Sequence, residues 1–106
     1  MKIVFPIPAN VEVFIVVDDK TRLKCTNNEA TVTFYADHSW RTVKIAIPFE
    51  EAASLFLYNE PPSLSFDALY KIVHKMSYPV MHSFTHFFPT EQRDALREQF
   101  INSHLS

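Results

Sequence analysis

Glycine is absent from the chain. That absence excludes whole classes of function, because P-loops, G-x-G-x-x-G dinucleotide fingerprints and G-x-S-x-G nucleophile elbows all need glycine. It also constrains the backbone. Every turn that needs a positive φ must obtain it from Asn, Asp or another residue with a Cβ, or avoid it with a longer loop. Cysteine is nearly absent too, with Cys25 alone. An intramolecular disulfide and a cysteine-rich zinc site are therefore ruled out. Long apolar runs are also missing. Pro6, Pro8, Asn10 and Glu12 interrupt the apolar stretch from Met1 to Val17, and nothing reaches the roughly 18 consecutive apolar residues expected of a membrane span. No small-residue cleavage site follows that stretch, so a signal peptide is not expected. A reducing cytoplasm is the expected location, with no membrane partner.

Phenylalanine is abundant, with ten in 106 residues, and hydrophobic residues make up 47% of the chain. That is enough apolar material for a core without staples, and the aromatic excess suits either a core or an interface. Charge is unremarkable at 21%, with a net of −2, so a polybasic nucleic-acid coat is not indicated. Residues 1–48 hold six Lys/Arg against five Asp/Glu, and residues 49–106 hold four against seven. The first half is thus slightly basic and the second acidic.

The hydrophobic period changes near Pro48. Before it, alternation of β-branched and aromatic residues predicts strands at Lys2–Phe5, Val11–Val17, Arg22–Thr26, Thr31–Ala36 and Trp40–Ile47. The connections at Asp18-Asp19-Lys20, Asn27-Asn28-Glu29 and Asp37-His38-Ser39 are short, which implies antiparallel hairpins. Asn27 and Asn28 are expected to supply a positive φ. After Pro48 the apolar spacing becomes three and four. A first helix carries Phe49, Ala52, Ala53, Phe56 and Leu57 on one stripe and stops at Asn59. A second is capped by Ser65 and carries Phe66, Leu69, Tyr70, Val73 and Met76. A short third runs to Phe88. A fourth is anchored by Leu96 and Phe100, with Arg93, Asp94, Arg97 and Glu98 outside. Strands followed by helices predict an α+β fold: an N-terminal antiparallel β-meander of four to five strands, with three to four C-terminal helices packed on one face. The chain reads as one domain over 1–106, mainly strand to residue 47 and mainly helix from residue 48.

Alternation assigns the faces of the sheet. Leu23, Cys25, Val32, Phe34, Val43, Ile45 and Ile47 form the apolar side expected under the helices. The opposite side carries Arg22, Lys24, Thr31, Thr33, Tyr35, Trp40, Thr42 and Lys44. Glu12, Phe14 and Val16 join it if their strand belongs to the same sheet. Thr, Tyr and Trp are good strand formers, so an ordinary solvated face also explains this set. Its functional reading is a contact surface, because Trp, Tyr and Arg are the usual anchors of protein interfaces. Arg22, Lys24, Tyr35, Trp40, Thr42 and Lys44 are its candidate partner-binding residues. Aromatics interleaved with cations could also stack on bases and track phosphates, so single-stranded nucleic acid is the alternative partner. The net acidic charge ranks it below a protein.

The other eye-catching stretch is VMHSFTHFF, residues 80–88. On a helical wheel Val80, Met81, Phe84, Phe87 and Phe88 share an arc from ~340° to ~100°, while His82 and His86 fall near ~200° and ~240°. The imidazoles therefore point away from the packing stripe. Histidines at i and i+4 can hold a transition metal, but a useful site needs a third ligand. Ser83 stands where the zinc-protease motif H-E-x-x-H needs glutamate. His82 and His86 are thus only candidate metal ligands, for a third reading as a metal-dependent enzyme. No catalytic residue is assigned and no cofactor is expected, since no nucleophile is placed beside a base by spacing. The expected function is a non-enzymatic protein-binding module (inhibitor, adaptor or accessory subunit). Homo-oligomers fit the same features, with Lys2–Phe5 as a strand that could pair at an edge.

Overall fold

The computed structural model describes residues 10–105. Four strands precede four helices: β1 Val13–Asp18, β2 Thr21–Cys25, β3 Ala30–Ala36, β4 Ser39–Ile45, α1 Phe49–Tyr58, α2 Phe66–Val73, α3 Tyr78–Thr85 and α4 Thr90–Leu105. The strands form one antiparallel sheet in the order β1-β2-β3-β4, which is the α+β meander read from the hydrophobic period. The expected strand at Lys2–Phe5 lies outside the described residues. The last strand ends at Ile45, although Ile47 beyond it is still buried.

Each hairpin solves the missing-glycine problem differently. Between β1 and β2, the Asp18 carboxylate accepts a hydrogen bond from the Lys20 backbone N–H at 2.8 Å, an Asx turn that shapes the connection with its own side chain. Between β2 and β3, Asn27 and Asn28 do not take positive φ, contrary to expectation. The Thr26 hydroxyl accepts from the Glu29 N–H at 3.1 Å, and the Thr26 N–H donates to the Glu29 carbonyl at 2.8 Å. A side-chain clasp therefore replaces the left-handed residue. Between β3 and β4, Asp37 and His38 both adopt positive φ, at 54° and 67°, while Ala36 pairs with Ser39. That is the two-residue hairpin turn whose twist matches the strands. Arg41 closes it by donating to the Ala36 carbonyl at 3.2 Å.

The inner face of the sheet and the helices share one core. Leu23, Cys25, Val32, Phe34 and Ile45 are buried against Leu55, Leu69, Val73, Phe84, Leu96 and Phe100. The central joint is aromatic: Phe34 of β3 lies 5.8 Å from Phe84 of α3, which lies 5.4 Å from Phe88. In α1, Leu55 is fully buried and Leu57 exposed, so the expected stripe shifts onto Ala52, Leu55 and Phe56. α1 ends at Asn59 in the left-handed conformation, with the Asn59 amide donating to the Phe87 carbonyl at 2.8 Å. Ser65 caps α2 as expected, accepting from the Ala68 N–H at 3.2 Å. α3 stops at Thr85 rather than Phe88. Pro89 disfavours helical backbone at the residue before it, and the Phe88 N–H turns back to the Thr85 carbonyl at 3.1 Å.

Candidate functional site: the outer face of the sheet

The helices cover one side of the sheet, and the other carries the residues that alternation placed there. β1 joins the sheet, so Glu12, Phe14 and Val16 belong to this outer side. Strand register sets them in rows. One row runs Phe14, Lys24, Thr31, Lys44 across the four strands, and the next runs Val16, Arg22, Thr33, Thr42. Tyr35 and Trp40 form the final pair at the β3–β4 end. Phe14 is 73% exposed, Val16 69%, Trp40 51% and Tyr35 38%. The face thus has an aliphatic–aromatic corner on β1 and an aromatic corner by the β3–β4 turn, with cations between.

The aromatic corner is preset. Tyr35 and Trp40 meet edge to face at 5.6 Å, an arrangement that aligns the positive rim of one ring with the π face of the other. The Arg22 guanidinium lies 5.9 Å from the Trp40 ring, and the Lys20 ammonium lies 6.0 Å from Tyr35. Arg22 also donates to the backbone carbonyls of Asp18 and Thr21, the latter at 3.2 Å. Two hydrogen bonds and a ring contact restrict a side chain that would otherwise lose rotamer freedom on binding. Lys24 pairs with Glu12 at 3.4 Å, and the Thr33 and Thr42 hydroxyls approach to 3.4 Å. Lys44 has no ion pair among the described residues.

All six sequence-derived candidates, Arg22, Lys24, Tyr35, Trp40, Thr42 and Lys44, are gathered on this one side. Alternation does not assign Lys20, because a turn residue has no face until the hairpin closes. Cys25 points the other way and is fully buried. Desolvation pushes its thiol up to about 11, so it is not a thiolate nucleophile at neutral pH.

His82 is exposed on α3 and His86 is exposed at its C-cap. They line a cleft of about 600 Å³ between α3 and the β1–β2 turn, opposite Asp18, Asp19 and Tyr35. Among the described residues, no three His, Cys, Asp or Glu side chains come together in a way that could hold a metal ion. The pair therefore gains no third ligand from these neighbours. Behind it, Arg97 of α4 turns inward, against the expectation that it lies outside. Its Nε donates to the buried Thr85 hydroxyl at 2.9 Å and its Nη2 to the His82 carbonyl at 2.8 Å. Thr85 itself donates to the Met81 carbonyl at 2.8 Å. The guanidinium thus serves backbone and hydroxyl oxygens near the end of α3, which are costly to leave unpaired. Its positive charge holds His82 below the ordinary imidazole range, with smaller contributions from desolvation, His86 and Arg93.

No family model matches the chain, and neither a curated protein nor a solved structure matches it. No helix among the described residues is long and apolar enough to cross a membrane.

Proposed function

We propose that this protein is a non-enzymatic protein-binding module, an inhibitor, adaptor or accessory subunit, and that its contact surface is the outer face of the sheet. The supporting observation is the exposure of Phe14, Val16, Tyr35 and Trp40 on one side of a sheet whose other side is already packed. Isolated exposed apolar residues are ordinary. Four large ones on a single four-stranded face, rimmed by Arg and Lys, have the composition of an interface core. The arginine is held in place and the aromatic pair is mutually packed, so less ordering entropy opposes association. A reducing cytoplasm suits a protein whose single thiol is buried.

Quantitative affinity purification from native cells, read by mass spectrometry, tests this reading. Wild-type protein should retain partners that Trp40→Ala and Tyr35→Ala lose together, with circular dichroism spectra unchanged. Retention of the same partners at the same abundance by both variants would place the contact elsewhere. Nucleic acid on the same face is the competing reading, and it predicts binding that weakens steeply with salt.

A further inference from the structure

The outer face has relief, and the relief indicates what kind of protein it fits. Between the two apolar corners lies a shallow trough of about 290 Å³, lined by Phe14, Arg22, Lys24, Thr31, Thr33 and Thr42. Threonine side chains are short, so the central strands form a low floor between the ring of Phe14 and the longer cationic side chains. The lining residues include one arginine, one lysine and three threonines, and no Asp or Glu. We infer that this trough receives an acidic side chain from a protein partner, with an apolar residue of that partner on Phe14 and Val16. The inference rests on the outer face being the contact surface and names the chemistry of what it contacts.

Three observations converge on an acid. Arg22 is restrained by two backbone carbonyls and lies near the Trp40 ring, and an ordered guanidinium is the side chain best suited to bind a carboxylate. Lys44 stands in the same row as Lys24 and Thr31 and is not neutralised by an ion pair among the described residues. Glu12 already shows the recognition within the chain, since its carboxylate sits 3.4 Å from Lys24 at the rim of the trough. An incoming acid would extend that contact inward and compete with Glu12 for the ammonium. A nucleic acid would use the same cations, but it would need aromatic faces to stack on. Tyr35 and Trp40 instead form one edge-to-face pair by the β3–β4 turn, and Phe14 lies apart from them on β1, so the rings do not line up as a row of stacking platforms.

Selection of a phage-displayed random peptide library on the full-length protein, followed by affinity measurements with the enriched peptides, tests this directly. Enriched peptides should carry Asp or Glu next to an aliphatic or aromatic residue. Changing that acid to its amide should weaken binding about tenfold, the size of one good charge-assisted contact. On Arg22→Ala the same change should have little further effect. Glu12→Gln should strengthen binding of the acidic peptide by releasing Lys24, and a mere loss of folding could not produce that gain. Lys24→Glu should reverse the preference toward peptides carrying Lys.

Peptides that need Trp40 and Phe14 but show no enrichment in acids would overturn the acidic partner and leave the contact surface standing. Enrichment insensitive to every outer-face replacement, or no enrichment at all, would overturn both. Tighter binding of fluorescein-labelled oligo-dT, lost on the same replacements, would assign the trough to phosphate instead. Self-association abolished by Lys24→Glu would assign it to a second copy of the chain.

Discussion

At the scale of single residues, His82 shows how a charge placed for structural reasons alters a neighbour. Arg97 reaches across from α4 to the Thr85 hydroxyl and the His82 carbonyl, and its charge makes protonation of the His82 ring less favourable in the folded protein. Arg93 and His86 add to that effect, while the Asp18 and Asp19 carboxylates lie across the cleft. The folded state therefore binds this proton less tightly than the unfolded chain does. Stability should fall as pH drops through the unfolded imidazole value, about 6.5, and continue to fall until the folded ring also protonates. His82 is exposed, so the effect is modest. Urea midpoints followed between neutral pH and about pH 5 should drop less in His82→Gln than in the wild type. Parallel curves would mean that the ring titrates equally in both states.

At the scale of elements, the β3–β4 hairpin carries the clearest backbone cost. Asp37 tolerates a left-handed conformation comparatively well. His38, at φ 67°, adopts the same conformation with a Cβ that crowds the carbonyl that follows. Glycine removes that crowding but gives the unfolded chain more freedom. The crowding is the larger of the two, so His38→Gly should stabilise the protein by about 0.5–1 kcal/mol. Equilibrium urea denaturation measures the gain, and a loss of stability would mean that the His38 side chain makes up for its backbone. The same turn shows what the sequence made legible. Alternation placed the strands and separated Cys25 from Lys24, because a period of two leaves little freedom once one face is apolar. Where no periodicity applies, the sequence is less informative. Asn27-Asn28 has the composition to supply a positive φ, yet Thr26 clasps that loop and the positive φ falls on Asp37-His38. Leu55 and Leu57 are equally apolar, so only the packing of α1 decided which went inside. Arg97 and the cleft beside His82 and His86 depend on α4 and the β1–β2 turn meeting α3, and no local pattern encodes that meeting.

At the scale of the whole molecule, the question is whether the sheet and helices fold as one unit. Their shared core argues that they do. Phe84 of α3 is fully buried between Phe34 of β3 and Phe88, so the aromatic joint belongs to neither layer alone. A four-stranded meander stripped of its helices would expose Leu23, Val32, Phe34 and Ile45 to water, and the helices would lose the surface they pack against. Phe84→Ala removes most of a ring that both layers enclose, at a cost of about 3–5 kcal/mol. That is a large share of the roughly 5–15 kcal/mol typical of a domain. Trp40, the only tryptophan, reports on the sheet from its outer face, while far-UV circular dichroism reports mainly on the helices. In one cooperative unit the fluorescence and dichroism transitions should coincide in the wild type. Both should then move to lower urea by the same amount in Phe84→Ala. If the helical signal moved alone while Trp40 kept its midpoint, the sheet would be stable in its own right, and the joint would be a docking contact between two folding units.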